Sequence, residues 1–428
     1  DRRYRAPVEL MAVDLTPYEH RTELSLASSG AVLDVWDEYA ISLSMLEPGS
    51  PWTFTFWRSD AVDTGLDGNR STPWKVITRG VKVFDRVLVT IDGAVQLNGR
   101  IETRAIRADR GGGAVVVVNG RDLAGPAMDW DVDPTITIKN TALSTAVERC
   151  FAQLGIPAHT VDSAANVAVT AREAPGPRRT NRRARRAQPV DIAHPRPGDR
   201  VWPFVEGIVK RIGYRMWVAP SADGELAVVV DVPNDTAAPS YVLLRREVAN
   251  GDGGYEGNIL DGGETINTRA APTTATVFSG TARGTQVDAR TRSVTTNVAL
   301  TDDAVTRGLV LQPPPEQPRY LRDSRARSPE RAAQTGSNVI LDAMASFRVY
   351  ECTVRGHGQT VDGARRLYAI NTVARVRDDV CVDGDGRPLD EDMLITGLTF
   401  RRSRRDGTTT TLTLVPRGAL SLLPTEAA

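Results

Sequence analysis

The stretch Asp392-Met393-Leu394-Ile395-Thr396-Gly397-Leu398-Thr399-Phe400 and its return, Asp406-Gly407-Thr408-Thr409-Thr410-Thr411-Leu412-Thr413-Leu414, decide how this chain is read. Side chains alternate across a strand, so Leu394, Thr396, Leu398 and Phe400 are expected on one face. Asp406-Gly407 supplies the positive φ of a tight turn, and Leu412 and Leu414 return on the matching face. The two runs predict an antiparallel hairpin.

The same alternation recurs near the other end. Val81-Lys82-Val83 and then Val87, Val89 and Ile91 keep apolar side chains on one pleat face. Asp92-Gly93 turns the chain, Val95 and Leu97 resume the pattern, and Ala114 to Val118 reads as a further strand before Asn119-Gly120. Helices interrupt this. Asn140 is placed to cap one whose stripe is Leu143, Val147, Cys150/Phe151 and Leu154, with Gly155 as its C′ residue. A second follows Pro197-Gly198 with Asp199 as cap; Trp202, Val205, Val209 and Ile212 line one face, and Gly213 ends it. Tyr214 to Val218 and Glu225 to Val230 form a hairpin around Asp223-Gly224. Strand-like sequence resumes from Ser240, and Ser328-Pro329 opens a last helix with Val339, Ala343 and Phe347 as its stripe, weakened by Gly336. The expected architecture is two β-rich blocks with a smaller α/β segment between them.

Length and composition agree with a multi-module chain. A chain of 428 residues suits two to four modules, and 41% hydrophobic with 25% charged residues is ordinary for a globular protein. No apolar run approaches the ~20 residues that span a bilayer. The start, Asp1-Arg2-Arg3-Tyr4-Arg5, lacks the apolar stretch of a secretory signal and an initiator Met, which leaves open whether residues precede Asp1. Basic and acidic residues balance at 53 each, which argues against a dedicated nucleic-acid binder. Cys150, Cys352 and Cys381 have no CxxC spacing, so neither a disulfide framework nor a zinc site is expected, and a reducing compartment is the natural reading.

Candidate chemistry is sparse. The four histidines, His20, His159, His194 and His357, form no zinc-binding motif. Cys352 and His357 lie five residues apart, which strand geometry puts on opposite faces. Asp378-Asp379, Asp383, Asp385 and Asp390-Glu391-Asp392 miss the spacing of a calcium loop and read as turn chemistry. Gly111-Gly112-Gly113 lacks the Lys and hydroxyl of a phosphate loop and reads as a hairpin tip. Trp52 and Trp57 bracket Thr53-Phe54-Thr55-Phe56, a core-filling alternation rather than a sugar platform. Paired acids suited to glycoside hydrolysis are not excluded, because 53 acids offer too many pairs. No catalytic residue, metal ligand or cofactor site is expected. The remaining candidate is the run Arg178, Arg179, Arg182, Arg183, Arg185 and Arg186 inside Pro175 to Pro197, an exposed loop suited to electrostatic contact with an acidic partner or nucleic acid.

Three stretches carry a family resemblance. Trp36-Asp37-Glu38-Tyr39 through Trp52-Thr53-Phe54-Thr55-Phe56 and Gly99-Arg100-Ile101-Glu102 leads to Gly120-Arg121-Asp122-Leu123-Ala124-Gly125. Mid-chain come Pro197-Gly198-Asp199-Arg200-Val201-Trp202 and Asp223-Gly224-Glu225-Leu226, and the closing hairpin is the third. In this order they resemble the phage baseplate hub family, known as phage tail protein D, late control protein, or the Mu-like contractile-tail hub. The Arg-rich insert is longer and more basic than that family's pattern.

The resemblance implies a mainly β fold with some α: two tube-like antiparallel β-barrel domains plus smaller α/β domains, forming a trimeric ring. Residues 1–125 are then the first tube-like domain and 126–240 the α/β segment, with the Arg-rich loop at 175–197. Residues 241–345 are the second tube-like domain with a helix, and 346–428 a C-terminal β segment whose closing hairpin returns to the second barrel. The implied role is structural, joining a hexameric tail tube to a trimeric central spike and lining the injection channel. Implied partners are two further copies, the spike, the tube protein, baseplate wedge proteins and a tape-measure protein. Genomic DNA would pass the lumen without specific binding, with no membrane involved. The place would be the virion tail baseplate, assembled in the host bacterial cytoplasm. The rival readings are a tail-associated cell-wall hydrolase or peptidase, the hub of a non-contractile tail, and a nucleic-acid binder using the Arg-rich run.

Overall fold

The computed structural model describes residues 13–14, 19–34, 36–57, 73–109, 113–138, 141–160, 195–211, 214–220, 226–247, 255–268, 274–278, 292–295, 309, 317–322 and 329–420. In chain order the strands are β1 (Val13–Asp14), β2 (Thr22–Leu26), β3 (Val32–Leu33), β4 (Glu38–Ser44), β5 (Pro51–Trp57), β6 (Arg86–Ile91), β7 (Ala94–Asp109) and β8 (Gly113–Asp122). Then come β9 (Ala158–Thr160), β10 (Arg215–Pro220), β11 (Leu226–Asp231), β12 (Tyr241–Glu247), β13 (Tyr255–Gly257), β14 (Ile259–Ile266), β15 (Thr274–Phe278), β16 (Arg292–Thr295) and β17 (Pro318–Arg322). The last are β18 (Arg348–Arg355), β19 (Gly358–Val361), β20 (Ala364–Leu367), β21 (Thr372–Val382), β22 (Pro388–Ser403) and β23 (Gly407–Pro416). The helices are α1 (Pro73–Gly80), α2 (Ala124–Asp129), α3 (Leu143–Ala152), α4 (Val201–Arg211) and α5 (Pro329–Phe347).

The chain is mainly β, and a 14-stranded sheet dominates the described residues. Its spine is β22. Along one edge this strand pairs first with β21, from Pro388 to Ile395, and then with β4, from Gly397 to Arg402. Along its other edge it pairs with β23. One strand therefore belongs to both β blocks. The first runs β4-β5-β8-β7-β6-β2-β3, and the second holds β13-β12-β21 with β23-β18-β14. Two separate closed barrels are not what the pairing describes; the sheet is continuous through β22.

A bulge makes this sharing work. The register of β22 slips between Ile395 and Gly397, so the alternation expected from Leu394 to Phe400 breaks in the middle. Ile395, Leu398 and Phe400 enter the main core, whereas Leu394 turns to the other face and packs with Val373, Val415, Ala345 and Leu420. The expectation of one face for Leu394, Thr396, Leu398 and Phe400 is thus corrected: an extra residue flips every side chain before it.

Alternation holds elsewhere. Trp52, Phe54 and Phe56 are all buried in β5, while Trp57 at its end is 44% exposed. Each buried aromatic removes some 150–250 Å² from water, roughly 4–6 kcal/mol as an upper bound. Val87, Val89 and Ile91 are buried on β6, and the Asp92-Gly93 turn has φ of 52° and 80°, as a two-residue hairpin of this type needs. Gly120 is required for a different reason: a Cβ there would sit 1.9 Å from the Arg100 carbonyl oxygen across the β7–β8 pair. Val81-Lys82-Val83 is not strand. The chain leaves α1 there, with Val81 buried, Val83 exposed and Phe84 at φ 70°.

The α/β segment has its own core, where Leu143, Val147, Cys150 and Phe151 of α3 meet Trp202, Val205 and Val209 of α4 over β10 and β11. Its capping differs from expectation. The N-cap of α3 is Ala142, without a side-chain hydrogen bond, and Asn140 lies outside the described residues. Asp199 accepts from the Arg196 N–H upstream, while the Val201 N–H that opens α4 donates to the Trp130 carbonyl. In α5 the buried set is Ile340, Leu341, Met344, Ala345 and Phe347; Val339 and Ala343 are only half-buried, so the stripe is rotated from the expected one.

Candidate functional site

The expected contact loop, Arg178, Arg179, Arg182, Arg183, Arg185 and Arg186, lies outside the described residues, as do His194, Gly111, Gly112, Asp223 and Gly224. His159 sits on β9 opposite Val229. Cys352 is buried on β18, and burial raises its thiol pKa far above the ordinary value. It makes no pair with His357, whose ring is held by other groups. The acidic stretch is committed to arginines and turns. Asp378 is buried against Arg245 at 2.6 Å and accepts from the Tyr350 hydroxyl at 2.7 Å. Asp390 and Asp392 face Arg375, and Glu391 faces Arg348. Asp383 accepts from the Asp385 and Arg387 backbone N–H groups, the turn role expected of it. Among the described residues no three His, Cys, Asp or Glu side chains group as metal ligands.

The structure instead assembles a polar seam. His357, fully buried beyond the end of β18, lies between β4 and β23. The Thr410 hydroxyl donates to the Gly356 carbonyl at 2.6 Å, so its oxygen accepts from His357 Nδ1 at 3.0 Å. His357 Nε2 is then the acceptor for the Tyr39 hydroxyl at 2.6 Å, and Tyr39 in turn accepts from Thr22 at 2.9 Å. The His357 backbone N–H donates to His20 Nε2 at 2.8 Å, which leaves His20 Nδ1 to donate to Asp92 at 2.7 Å. Both rings are therefore held neutral in defined tautomers. Burial, reinforced by neighbouring His20, pushes the His357 imidazole down to about 3, and burial also lowers His20. Burial pushes the Tyr39 hydroxyl up to about 12.

The seam joins the first β block, through β2, β4 and the β6–β7 turn, to β18 and β23 of the second. It is a closed set of directed hydrogen bonds without an exposed nucleophile, so its chemistry is that of a latch. Beside it, a cleft of about 790 Å³ opens between Asp92 and Gln96, Trp217 and Asp231 of the α/β segment, and Arg365 and Asn371.

The sheet face opposite the core is also distinctive. Ser42, Thr399, Thr411 and Thr353 lie side by side across β4, β22, β23 and β18. Ser42 and Thr399 hydroxyls are 3.0 Å apart, and those of Thr353 and Thr411 are 3.1 Å apart. Neighbouring rows add Thr53 and Asn119, with Arg401 and Arg355, on one side, and Thr413, with Glu351, on the other. This hydroxylated band crosses from one block into the other without a break. Sequence reading missed it, although the Thr408 to Thr413 run and the Thr53/Thr55 alternation were its visible signals.

The described residues thus form a long sheet shared by two β blocks, with a small α/β module between them in sequence. No protein-family profile matches the sequence, and no curated protein matches it. Solved structures do. The tail protein from Neisseria meningitidis MC58 has a TM-score of 0.64 at 18% identity, covering 94% of this chain and 98% of its own. The 43 kDa tail protein of prophage MuSo2 from Shewanella oneidensis has a TM-score of 0.65 at 16% identity, covering 94% and 99%. A chain of the half-lidded Francisella PdpA-VgrG complex has a TM-score of 0.51 at 8% identity, covering 97% and 60%. The first two of these are tail proteins, one of them from a prophage, and this chain shares their fold over nearly its whole length.

Proposed function

We propose that this chain is a structural hub subunit of a phage-type contractile tail baseplate, without enzymatic activity. Three copies form a ring that joins a six-fold tail tube to a three-fold central spike and lines the injection channel. Residues 1–125 form one tube-like unit, and residues 241–345 with the strands of 346–428 form the other, so three chains supply six similar units. Its partners are the spike, the tube, wedge proteins and a tape-measure protein, in a virion assembled in the host cytoplasm.

The observation that carries this reading is the sheet continuous through β22, with one apolar face and one hydroxylated face spanning both blocks. Ile41, Leu43, Leu398 and Leu412 fill one side, and Ser42, Thr399, Thr411 and Thr353 lie on the other. The uncharged row Ser42, Thr399, Thr411 and Thr353 suits a channel wall, because a polyanion passing over it releases no counterions there; Arg401 and Arg355 follow in the next row, toward the β22–β23 turn. Negative-stain imaging of the purified chain tests the proposal. Rings with three-fold symmetry, six peripheral masses and a central channel support it; single compact particles at high concentration refute it.

A further inference from the structure

The two ends of β22 carry opposite charge. At the β22–β23 turn, Arg401, Arg402, Arg404 and Arg405 crowd five positions and are all exposed, with exposed Arg355 beside them on β18. Two tryptophans underlie them. The Arg402 guanidinium lies 4.7 Å from the Trp36 ring centre, and that of Arg404 lies 6.0 Å from Trp57, itself 44% exposed. Asp37, paired with Arg404, Asp406, bonded to Ser403, and half-buried Glu38 on β4, next to Asp37, lie among them.

At the opposite end lie Asp379, half-buried near the end of β21, half-buried Asp383 and exposed Asp385 in the β21–β22 turn, and exposed Glu247 from the neighbouring strand β12. Arg387 in the turn and Arg246 on β12 oppose them only in part. The register of β21 slips between Asp378 and Val382, and this irregularity leaves Val380 and Val382 exposed by 46% and 44%. Each end thus combines a charge with an apolar anchor, the usual make-up of an interface centre and its rim.

The ends are too far apart to serve each other within one molecule. A strand of 16 residues is roughly 50 Å long at ~3.3 Å per residue, several screening lengths at physiological salt. Head-to-tail rings need two different, complementary patches on each copy, whereas a two-fold contact needs one self-complementary patch.

We propose that the Arg401–Arg405 end, with Trp36 and Trp57, docks on the Asp379–Asp385 end, with Val380 and Val382, of a second copy of this chain. β22 is then the ruler that sets the spacing of a head-to-tail ring. This rests on the self-assembling reading above and names the contact that closes it.

Charge reversal tests it. Arg401→Glu with Arg405→Glu reverses one end, and Asp385→Arg with Glu247→Arg reverses the other; all four side chains are exposed. Assembly is followed by native mass and sedimentation, and thermal melts check that each variant is folded. Each reversal alone is expected to raise the concentration for half-assembly at least tenfold, and combining them restores it. Raising salt from 50 to 500 mM weakens the wild-type assembly. Unchanged assembly in the single-end variants, or no rescue in the combination, overturns the proposal while leaving the ring reading intact. So does an intact assembly whose Arg variant has instead lost binding to single-stranded DNA. A wild-type chain that stays monomeric overturns both.

Discussion

Replacing His357 by Gln removes the titrating group of the seam and keeps a side chain that can donate and accept. Its effect divides into two parts. At pH 7.5 the imidazole is neutral in both folded and unfolded chains, so the loss is that of well-made hydrogen bonds to Tyr39 and Thr410, about 1–3 kcal/mol. The second part depends on pH. The folded imidazole is pushed down to about 3, against 6.5 for the unfolded chain. A group depressed in this way leaves the unfolded state binding more protons, so stability is full above pH 6.5 and falls as the pH drops below it. At pH 5 the ratio of proton binding gives about 2 kcal/mol of stability lost relative to pH 7.5. His20 contributes with the same sign.

Asp122 works the other way. Burial pushes its carboxyl up to about 6, so protonation between pH 6 and its unfolded value favours the folded state and offsets about 1 kcal/mol at pH 5. The wild-type pH profile mixes these effects, whereas the difference between wild type and H357Q isolates the seam. Urea unfolding at one protein concentration at pH 7.5, 6.0 and 5.0 is the assay. The stability gap is expected to narrow by about 2 kcal/mol from pH 7.5 to pH 5, because only the wild type carries the His357 protonation penalty while that of His20 is common to both. Parallel profiles, with a constant gap, would refute a neutral buried His357.

Other perturbations follow from the same geometry. Arg245→Met leaves the Asp378 carboxylate buried without its counter-charge, still accepting from the Tyr350 hydroxyl, and is expected to cost about 3–5 kcal/mol in thermal or urea unfolding, partly recovered by adding Asp378→Asn. Gly120→Ala places a Cβ against the Arg100 carbonyl and forces β7 and β8 apart; insoluble expression or a melting point lowered by more than 10 °C is the expected result. Deleting Thr396 removes the extra residue of the bulge and puts one half of β22 on the wrong face, so no soluble cooperative unit should form; a well-folded deletion variant would contradict the role given to the bulge. Zymography on bacterial cell walls should show no clearing zone, since a reproducible zone abolished by one acidic substitution would favour the hydrolase reading.

Much of the fold was legible because its turns carry their own chemistry. Asp92-Gly93 and Asp406-Gly407 mark hairpins through positive φ, and β5 and β6 alternate cleanly because one face is buried. The bulge at Thr396 leaves no such mark, since one extra residue looks like ordinary alternation until its neighbours are known. Pairing between Ser42 and Thr399 joins residues 357 apart, and no local pattern encodes that. The seam was hidden for the same reason. His20, Asp92 and His357 each looked isolated, and Asp92 was read only as a turn former. Val81 and Val83 mimic a strand where the chain only leaves α1, since of the two just Val81 is buried. Charge balance over the whole chain also concealed how unevenly β22 distributes its charge between its ends.

The proposed function requires this chain to build a ring of three through its shared sheet. Native mass measurement over a range of concentrations tests it most directly. A dominant species at three times the 46.4 kDa chain mass is expected, dissociating to single chains on dilution or in high salt. A monomer that persists to high micromolar concentration, or a stable even-numbered assembly, would contradict it.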